Sequence, residues 1–305
     1  MSQFEILAKE LQAVLPDLEI KLDEPMKLHT SFRIGGPCDL VVIPHSAEEL
    51  ASCLAFFHGK GIRPLVFGAG SNVLVPDEGI RGAAIITRGA LDRIWLKDET
   101  TVVAESGVTL AQLALFAAEA DLTGLEFAQG IPGTVGGGIY MNAGAYGGEL
   151  KDAAVRTRII RMDGTAEDVC GEAQGFRYRN SAFQTMDAVI AEAEFSLKKG
   201  DRTEIRAAMQ DFAARRCSKQ PLELPSAGST FKRPEGYFAA ALIEQAGLKG
   251  FRVGDAAVSE KHAGFVVNLG NATAEDVLAV IRGVQERVFA HAGVMLEPEV
   301  RLIRG

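Results

Sequence analysis

Residues Glu126–Gly148 read EFAQGIPGTVGGGIYMNAGAYGG, and eight of these 23 positions are glycine. Ordering so many glycines costs backbone entropy. Such a run is kept where the chain must take a positive φ or come very close to a partner, often a phosphate. Ile131, Val135, Ile139, Tyr140 and Met141 are interleaved and would pack, which excludes a low-complexity linker. Tight turns between buried strands explain any one of these glycines and explain eight together poorly. A binding loop for a dinucleotide or a nucleotide-linked substrate explains the set.

A second glycine turn, Gly68-Ala69-Gly70-Ser71-Asn72, follows the apolar run Pro64–Phe67 (PLVF). A strand that delivers a glycine turn is how phosphate-binding loops are usually presented. Neither turn belongs to a Rossmann unit. Val73-Leu74-Val75-Pro76 after Gly68–Asn72 is extended rather than helical, and Ile131-Pro132-Gly133 before the Gly136–Gly138 cluster is no strand. Any dinucleotide is therefore held by something other than a βαβ unit.

The 305 residues suffice for two domains or three small ones, and a net charge of −8 argues against nucleic acid or an anionic membrane as main partner. Cys38, Cys53, Cys170 and Cys217 are scattered, without a CxxC pair and apart from the histidines, so neither a metal site nor a disulfide framework is expected. Met1–Leu15 is amphipathic and acidic, unlike a signal peptide, and the apolar runs are too short to span a bilayer. A cytoplasmic protein is expected.

Apolar spacing predicts a helix over Phe4–Leu15, ended by Pro16, and another from a Ser46/Glu49 capping box to about Phe57. Strands are predicted at Leu40–Ile43, Pro64–Phe67, Ala83–Thr87 and Thr101–Glu105, then a helix over Thr109–Ala120 capped by Thr109 and Gln112. Val155–Arg161 should turn back at Asp163-Gly164, with Ala188–Leu197 a further strand. A basic amphipathic helix over Arg202–Arg216 precedes Pro221 and Pro225, the best domain boundary. Beyond it come helices at Tyr237–Ala246 and Ala274 to about His291, the latter with a Thr273/Asp276 box, a strand at Gly264–Asn268 and a last strand at Met295–Ile303. Strands and helices mix without strict alternation, which favours α+β over a doubly wound sheet.

Four segments could carry chemistry. His29–Gly36 (HTSFRIGG) is polar and closed by glycines; a lone histidine such as His29 is more often structural. Phe176–Ser181 (FRYRNS) is either a solvated strand edge or an anion clamp, since Arg grips carboxylate and phosphate bidentately. Ser229 stands behind Gly228 on a sharp turn, but Phe231 breaks any G-x-S-x-G elbow and no triad follows. Its hydroxyl suits a proton donor or hydrogen-bond donor if a cation or developing anion is near. In Leu296–Ile303, alternation would put Glu297, Glu299 and Arg301 on one face, opposite Val300 and Leu302, and a solvated edge is the blander account. Reaction type does not follow from these residues alone.

Taken together, the segments resemble the UDP-N-acetylenolpyruvoylglucosamine reductase (MurB) family. The matching blocks are His29–Pro37, Phe67–Leu74, Ile131–Gly147, Tyr178–Ser181, Ala227–Pro234 and Glu297–Arg301, in family order across nearly the whole chain. No tyrosine-bearing insertion separates the second and third blocks, as in the shorter, type II branch.

The resemblance implies an α+β fold with an FAD-binding domain of the vanillyl-alcohol-oxidase (PCMH) type. Its two α+β subdomains would be 1–88 and 89–217, followed by a substrate lobe at 218–294, with a strand at about 295–305 returning to the first subdomain. It implies non-covalent FAD, NADPH as co-substrate, and the enolpyruvyl ether of UDP-N-acetylglucosamine as substrate, acted on by a monomer. The flavin would be lined by Arg33, Gly68, Ala69, Gly70, Ser71, Asn72, Pro132, Gly133, Thr134, Gly137, Gly138, Asn142, Ala143 and Gly144. Arg179 would pair with the carboxylate or enolate, Ser229 would protonate the α-carbon, and Glu299 would stabilise the enol-like intermediate. Tyr178, Lys219 and Arg233 would contact substrate, Arg233 standing where some members have asparagine. A covalent-flavin oxidase of the same fold and a flavin-free nucleotide-sugar binding protein are the rival readings.

Overall fold

The computed structural model describes residues 2–303; Met1 and the last two residues of the expected 295–305 segment lie outside it. The chain divides into two compact units. One comprises Met1–Asp23, Asp39–Ala69 and Gly82–Arg215; the other comprises Glu24–Cys38, Gly70–Arg81 and Arg216–Gly305.

In the first unit, helix Gln3–Val14 begins at a reciprocal Ser2/Glu5 capping box, which satisfies two otherwise orphaned N–H groups. Its apolar face packs with helix Ala47–Gly59 around Leu11, Leu40, Val42, Leu50, Leu54 and Phe57. The Ser46 hydroxyl caps that second helix as expected, but the Glu49 carboxylate returns to the N–H of His45 rather than that of Ser46. A four-stranded sheet runs in the order Glu19–Pro25, Pro37–Ile43, Ile80–Ile86, Leu65–Phe67.

The second sheet is antiparallel throughout, in the order Ala166–Cys170, Ala154–Arg161, Ala188–Ser196, Thr101–Glu105, Ile94–Leu96. The Asp163-Gly164 turn falls where the alternation put it, with Asp163 accepting the Thr165 N–H at 2.9 Å. Helix Leu110–Glu119 carries the predicted Thr109/Gln112 box and buries Leu110, Leu113, Ala114 and Ala117 on this sheet's core.

The glycine-rich stretch is not loop throughout. Thr134 caps a helix, Val135–Met141, that contains Gly136, Gly137 and Gly138. Each glycine costs about 1 kcal/mol against alanine in a helix, so propensity alone opposes this element. Packing outweighs propensity. A Cβ on Gly136 would lie 2.9 Å from the Cβ of Ser106, and one on Gly138 would lie 2.7 Å from Leu150 Cδ1. The helix lies so close to its neighbours that the N–H groups of Val135 and Gly136 reach the carbonyls of Val108 and Ser106, at 2.8 and 2.9 Å.

In the second unit an antiparallel sheet runs Ser226–Ser229, Phe265–Asn268, Ala256–Val258, Arg252–Val253. Helices Ala239–Gln245 and Ala274–Ala292 cover its core through Leu242, Ile243, Val277, Ile281 and Val284. The first starts two residues later than the pattern predicted, leaving Tyr237 and Phe238 exposed ahead of it. The expected strand Met295–Ile303 reduces to Arg301–Leu302, parallel to Val73–Leu74. Leu296 and Val300 are buried while Leu302 is exposed, so burial there follows docking against the Phe231 segment, where Phe231 and Pro298 bridge, and not strict alternation.

Candidate functional site

A strand end and a helix start meet at the glycine cradle in the first unit. Strand Leu65–Phe67 delivers Gly68, whose missing side chain lets the Thr134 hydroxyl approach: a Cβ there would stand 2.2 Å from Thr134 Oγ1. Gly133 gives its carbonyl to the N–H of Leu110, and Thr134 bridges to Thr109. Pro132 and Gly137 are exposed at this rim, and Ala69 is half-buried. Gly137 differs from its two glycine neighbours, because a Cβ there would meet only Thr134 Oγ1, at 3.8 Å. Packing within the chain therefore explains Gly136 and Gly138 and leaves Gly137 open. Gly138 itself faces Leu110 and Leu150 rather than the rim.

The same helix ends at Asn142, a left-handed cap with φ 45° that is 1% exposed. Its amide nitrogen donates to Glu149 Oε2 at 3.1 Å and to the Arg177 carbonyl at 3.0 Å, and its oxygen accepts from the Lys151 N–H at 3.1 Å. The side chain is thus fully engaged by the protein, and any part Asn142 plays toward a cofactor falls to its backbone. Ala143 is buried, and Gly144 starts a hairpin with Glu149 whose turn holds Tyr146 and Gly147 at positive φ. The ring of Tyr146 stacks on Phe212 at 4.8 Å. Hydrogen bonding from Lys151 holds the Glu149 carboxylate below its usual range, partly opposed by burial and assisted by Asn142.

Arg179 lies beside this hairpin. It sits in a two-residue turn closed by Arg177 N–H to Asn180 O at 2.9 Å and Asn180 N–H to Arg177 O at 3.1 Å, and takes φ 52°. Its guanidinium contacts the Gly144 carbonyl at 3.4 Å and the ring of exposed Tyr178 at 5.6 Å. The structure brings Arg179, Tyr178, Asn142 and Gly144 together, and the turn is a built one rather than the solvated strand edge that FRYRNS equally allowed.

In the second unit, Ser229 and Glu299 share one backbone seam. The Glu299 N–H donates to the Thr230 carbonyl, and the Lys232 N–H to the Glu297 carbonyl, both at 2.8 Å. Ser229 is exposed next to Thr230, which is fully buried and accepts the Val266 N–H on its hydroxyl. Asn72 joins the seam: its amide donates to the Glu299 carbonyl at 3.3 Å and its carbonyl accepts from the Arg301 N–H at 3.0 Å. Gly70, at φ 58°, lies against the His29 carbonyl and could carry no side chain. Arg33 is exposed at φ 55° in a turn back to the Thr30 carbonyl, and Ser71 is half-buried. Lys219 is the exposed last residue of helix Arg202–Lys219, and Arg233 stacks its guanidinium 4.0 Å from the ring centre of Phe238.

Sequence reasoning missed the residues that hold these in place. Ser31 donates to the Ser226 carbonyl at 2.6 Å and to that of Gly70 at 3.3 Å, pinning the glycine turn to the start of the strand that ends at Ser229. Its presence in HTSFRIGG was the available signal. Gln184, whose amide donates to the Arg179 and Tyr140 carbonyls, and the Tyr146–Phe212 stack carried no motif. Among the described residues no cluster of His, Cys, Asp or Glu could hold a metal ion, and no helix is long and apolar enough to cross a membrane.

Paired glycine turns on an α+β scaffold without the G-x-G-x-x-G frame of a Rossmann unit mark a nucleotide-cofactor protein of non-Rossmann type. Residues 38–169 match the FAD binding domain family, and residues 220–303 match the family described as UDP-N-acetylenolpyruvoylglucosamine reductase, C-terminal domain. The UDP-N-acetylenolpyruvoylglucosamine reductase of Syntrophomonas wolfei is 50% identical over 294 residues, covering 96% of this chain and 98% of the relative. That of Clostridioides difficile is 46% identical over 290 residues, covering 95% of each. The crystal structure of the Thermus caldophilus reductase superposes with a TM-score of 0.81 at 36% identity, over 94% of this chain and 99% of the other. The chain belongs to the UDP-N-acetylenolpyruvoylglucosamine reductase family.

The residues fit the flavin dinucleotide that the FAD-binding match implies. Gly137 presents an exposed backbone face that, among the described residues, only Thr134 Oγ1 approaches, at 3.8 Å from a Cβ built there, beside a second glycine, which is the surface a diphosphate or ribityl chain requires.

Proposed function

We propose that this protein reduces the enolpyruvyl ether of UDP-N-acetylglucosamine to UDP-N-acetylmuramate in peptidoglycan precursor synthesis, through non-covalent FAD and with NADPH as electron source. The observation that carries the reading is the seam joining Ser229, Glu299 and Asn72, which sets an exposed hydroxyl and a half-buried carboxylate on neighbouring backbones. Bound FAD would supply the redox chemistry, taking a hydride from NADPH and passing one to the enolpyruvyl β-carbon.

The chain's own groups manage the charge and the proton. As the β-carbon gains hydride, charge develops at the α-carbon and spreads into the carboxylate. Arg179 pairs with that carboxylate, where a cation shielded from water is worth most. Ser229 gives its hydroxyl proton to the α-carbon, and Glu299 stabilises the enol-like intermediate. Gly68, Ala69, Pro132, Gly133, Thr134 and Gly137 form the cofactor cradle of the first unit, and Arg33, Gly70 and Ser71 of the second unit are read as further flavin-binding residues. Tyr178, Lys219 and Arg233 hold the nucleotide sugar, the two cations on its diphosphate or carboxylate, with 218–294 as the substrate lobe.

Ser229→Ala should leave flavin reduction by NADPH within about twofold and slow reoxidation by the enolpyruvyl substrate about 10²–10⁴-fold, the range of a lost general acid. Stopped-flow absorbance of the flavin separates the two steps. Equal loss in both would overturn the assignment of Ser229.

A further inference from the structure

Arg179 occupies a turn that should not hold still unaided. Its φ of 52° is in the left-handed region, which costs a non-glycine residue about 1 kcal/mol. Two backbone bonds close the turn but do not orient it. Two side-chain amides do. Asn142 Nδ2 donates to the Arg177 carbonyl at 3.0 Å, and Gln184 Nε2 donates to the Arg179 carbonyl at 3.2 Å. Gln184 also donates to the Tyr140 carbonyl at 2.9 Å, which accepts the Ser181 hydroxyl at 2.8 Å as well. Tyr140 lies in the last turn of the glycine helix, and Asn142 is that helix's cap. The two carbonyls of the arginine turn are therefore fastened to the far end of the element whose first turn forms the cradle.

We propose that Gln184 and Asn142 are positioning residues for Arg179, registering its guanidinium against the cofactor cradle through the carbonyls of Arg177 and Arg179. The inference rests on the reading of Arg179 as the partner of the substrate carboxylate. Neither amide belongs to the reacting set. Each satisfies a carbonyl of a left-handed turn that would otherwise drift, and a misplacement of about 1 Å in a charge-stabilising group can cost about 10²-fold in rate. Gln184 is the better probe, because it is half-buried, whereas the bonds of Asn142 also secure Glu149 and Lys151.

The test uses FAD-loaded enzyme, with NADPH and the enolpyruvyl nucleotide sugar as substrates. Gln184→Leu, which keeps volume and removes the donor, should slow flavin reoxidation by about 10–100-fold. FAD affinity and the rate of flavin reduction by NADPH should stay within about twofold. In an Arg179→Ala background the same change should add less than about twofold, because its effect runs through a side chain already gone. Gln184→Glu, which also lacks the donor, should behave like the leucine variant. Full multiplicativity of Gln184→Leu with Arg179→Ala, equal slowing of both half-reactions, or a wild-type rate in Gln184→Leu would each overturn the proposal. An Arg179→Ala enzyme that reoxidises at the wild-type rate would refute the underlying reading of Arg179 as well, so the two failures are distinguishable.

Discussion

Replacing Gly137 by alanine should make the cofactor-free protein more stable and its flavin binding weaker. The residue lies in the first turn of helix Val135–Met141 and is exposed, and a Cβ there meets only Thr134 Oγ1, at 3.8 Å, an ordinary contact. With no steric cost in the chain itself, alanine should recover up to about 1 kcal/mol of helix propensity, or roughly 2 °C in melting temperature for a chain of this size. If FAD packs on this face, the new methyl intrudes on a close contact, and overpacking typically costs about 1–3 kcal/mol. At about 1.4 kcal/mol per decade that is roughly a 5–150-fold rise in Kd for FAD. Differential scanning fluorimetry of the apoprotein reads the first quantity, and titration of flavin fluorescence reads the second. Gly136→Ala serves as the contrast, since its Cβ would lie 2.9 Å from Ser106 Cβ and should destabilise the apoprotein outright. A Gly137→Ala protein with raised stability and unchanged FAD affinity would refute the assignment of that face to the cofactor. So would a lowered apoprotein melting temperature, because the methyl would then be meeting protein.

Phe238 supports Arg233 at 4.0 Å while itself 61% exposed, so Phe238→Ala should spare the fold, raise KM for the nucleotide sugar about 3–10-fold and leave kcat nearly unchanged. If Arg233→Ala leaves KM unaltered, Arg233 is not a substrate contact. The carboxylate of Glu149 is held below its ordinary value of 4.5, first by Lys151, against a burial effect that raises it, and also by Asn142. A depressed carboxylate stabilises the fold above its unfolded pKa and loses that contribution as pH falls through its folded pKa, so Glu149→Gln should flatten the stability profile below about pH 4.5 while costing a constant amount at neutral pH. Chemical denaturation at several pH values reads this, and parallel profiles for the two proteins would refute it.

Capping and turn chemistry made most elements legible: Thr109 with Gln112, Thr273 with Asp276 and Asp163-Gly164 act locally and lie where the pattern put them. The glycine helix was not legible, because its stability comes from what Gly136 and Gly138 touch across the fold, Ser106 and Leu150, and no local propensity records that. The final segment misled for the opposite reason. LEPEVRLI alternates like one strand, yet it pairs in two pieces, Pro298 bridging Phe231 and Arg301–Leu302 lying along Val73–Leu74, and Leu296 and Val300 are buried by docking four residues apart. Asn142 sat in a motif that pointed to the cofactor, whereas its amide is consumed by Glu149, Arg177 and Lys151.

A common arrangement underlies these differences. Each residue proposed for chemistry is the exposed or half-buried neighbour of a residue the fold has fixed. Ser229 precedes Thr230, which is held at its N–H by Gly264, at its carbonyl by Glu299 and at its hydroxyl by Val266. Glu299 precedes buried Val300 and donates its own N–H to that same Thr230 carbonyl. Arg179 lies between Arg177, gripped by Asn142, and Ser181, whose hydroxyl is on Tyr140. Open Gly137 precedes Gly138, which is pressed against Leu110 and Leu150. A reactive side chain one or two residues from a well-bonded anchor is oriented by that anchor without being buried by it, which is what a site needs if it is to be both rigid and accessible. The cost is that hydrophobic periodicity reports the anchors and passes over their neighbours. In this chain those neighbours stand out only as short blocks such as YRNS, AGSTF and PEVR, whose chemistry is polar and whose backbone is irregular.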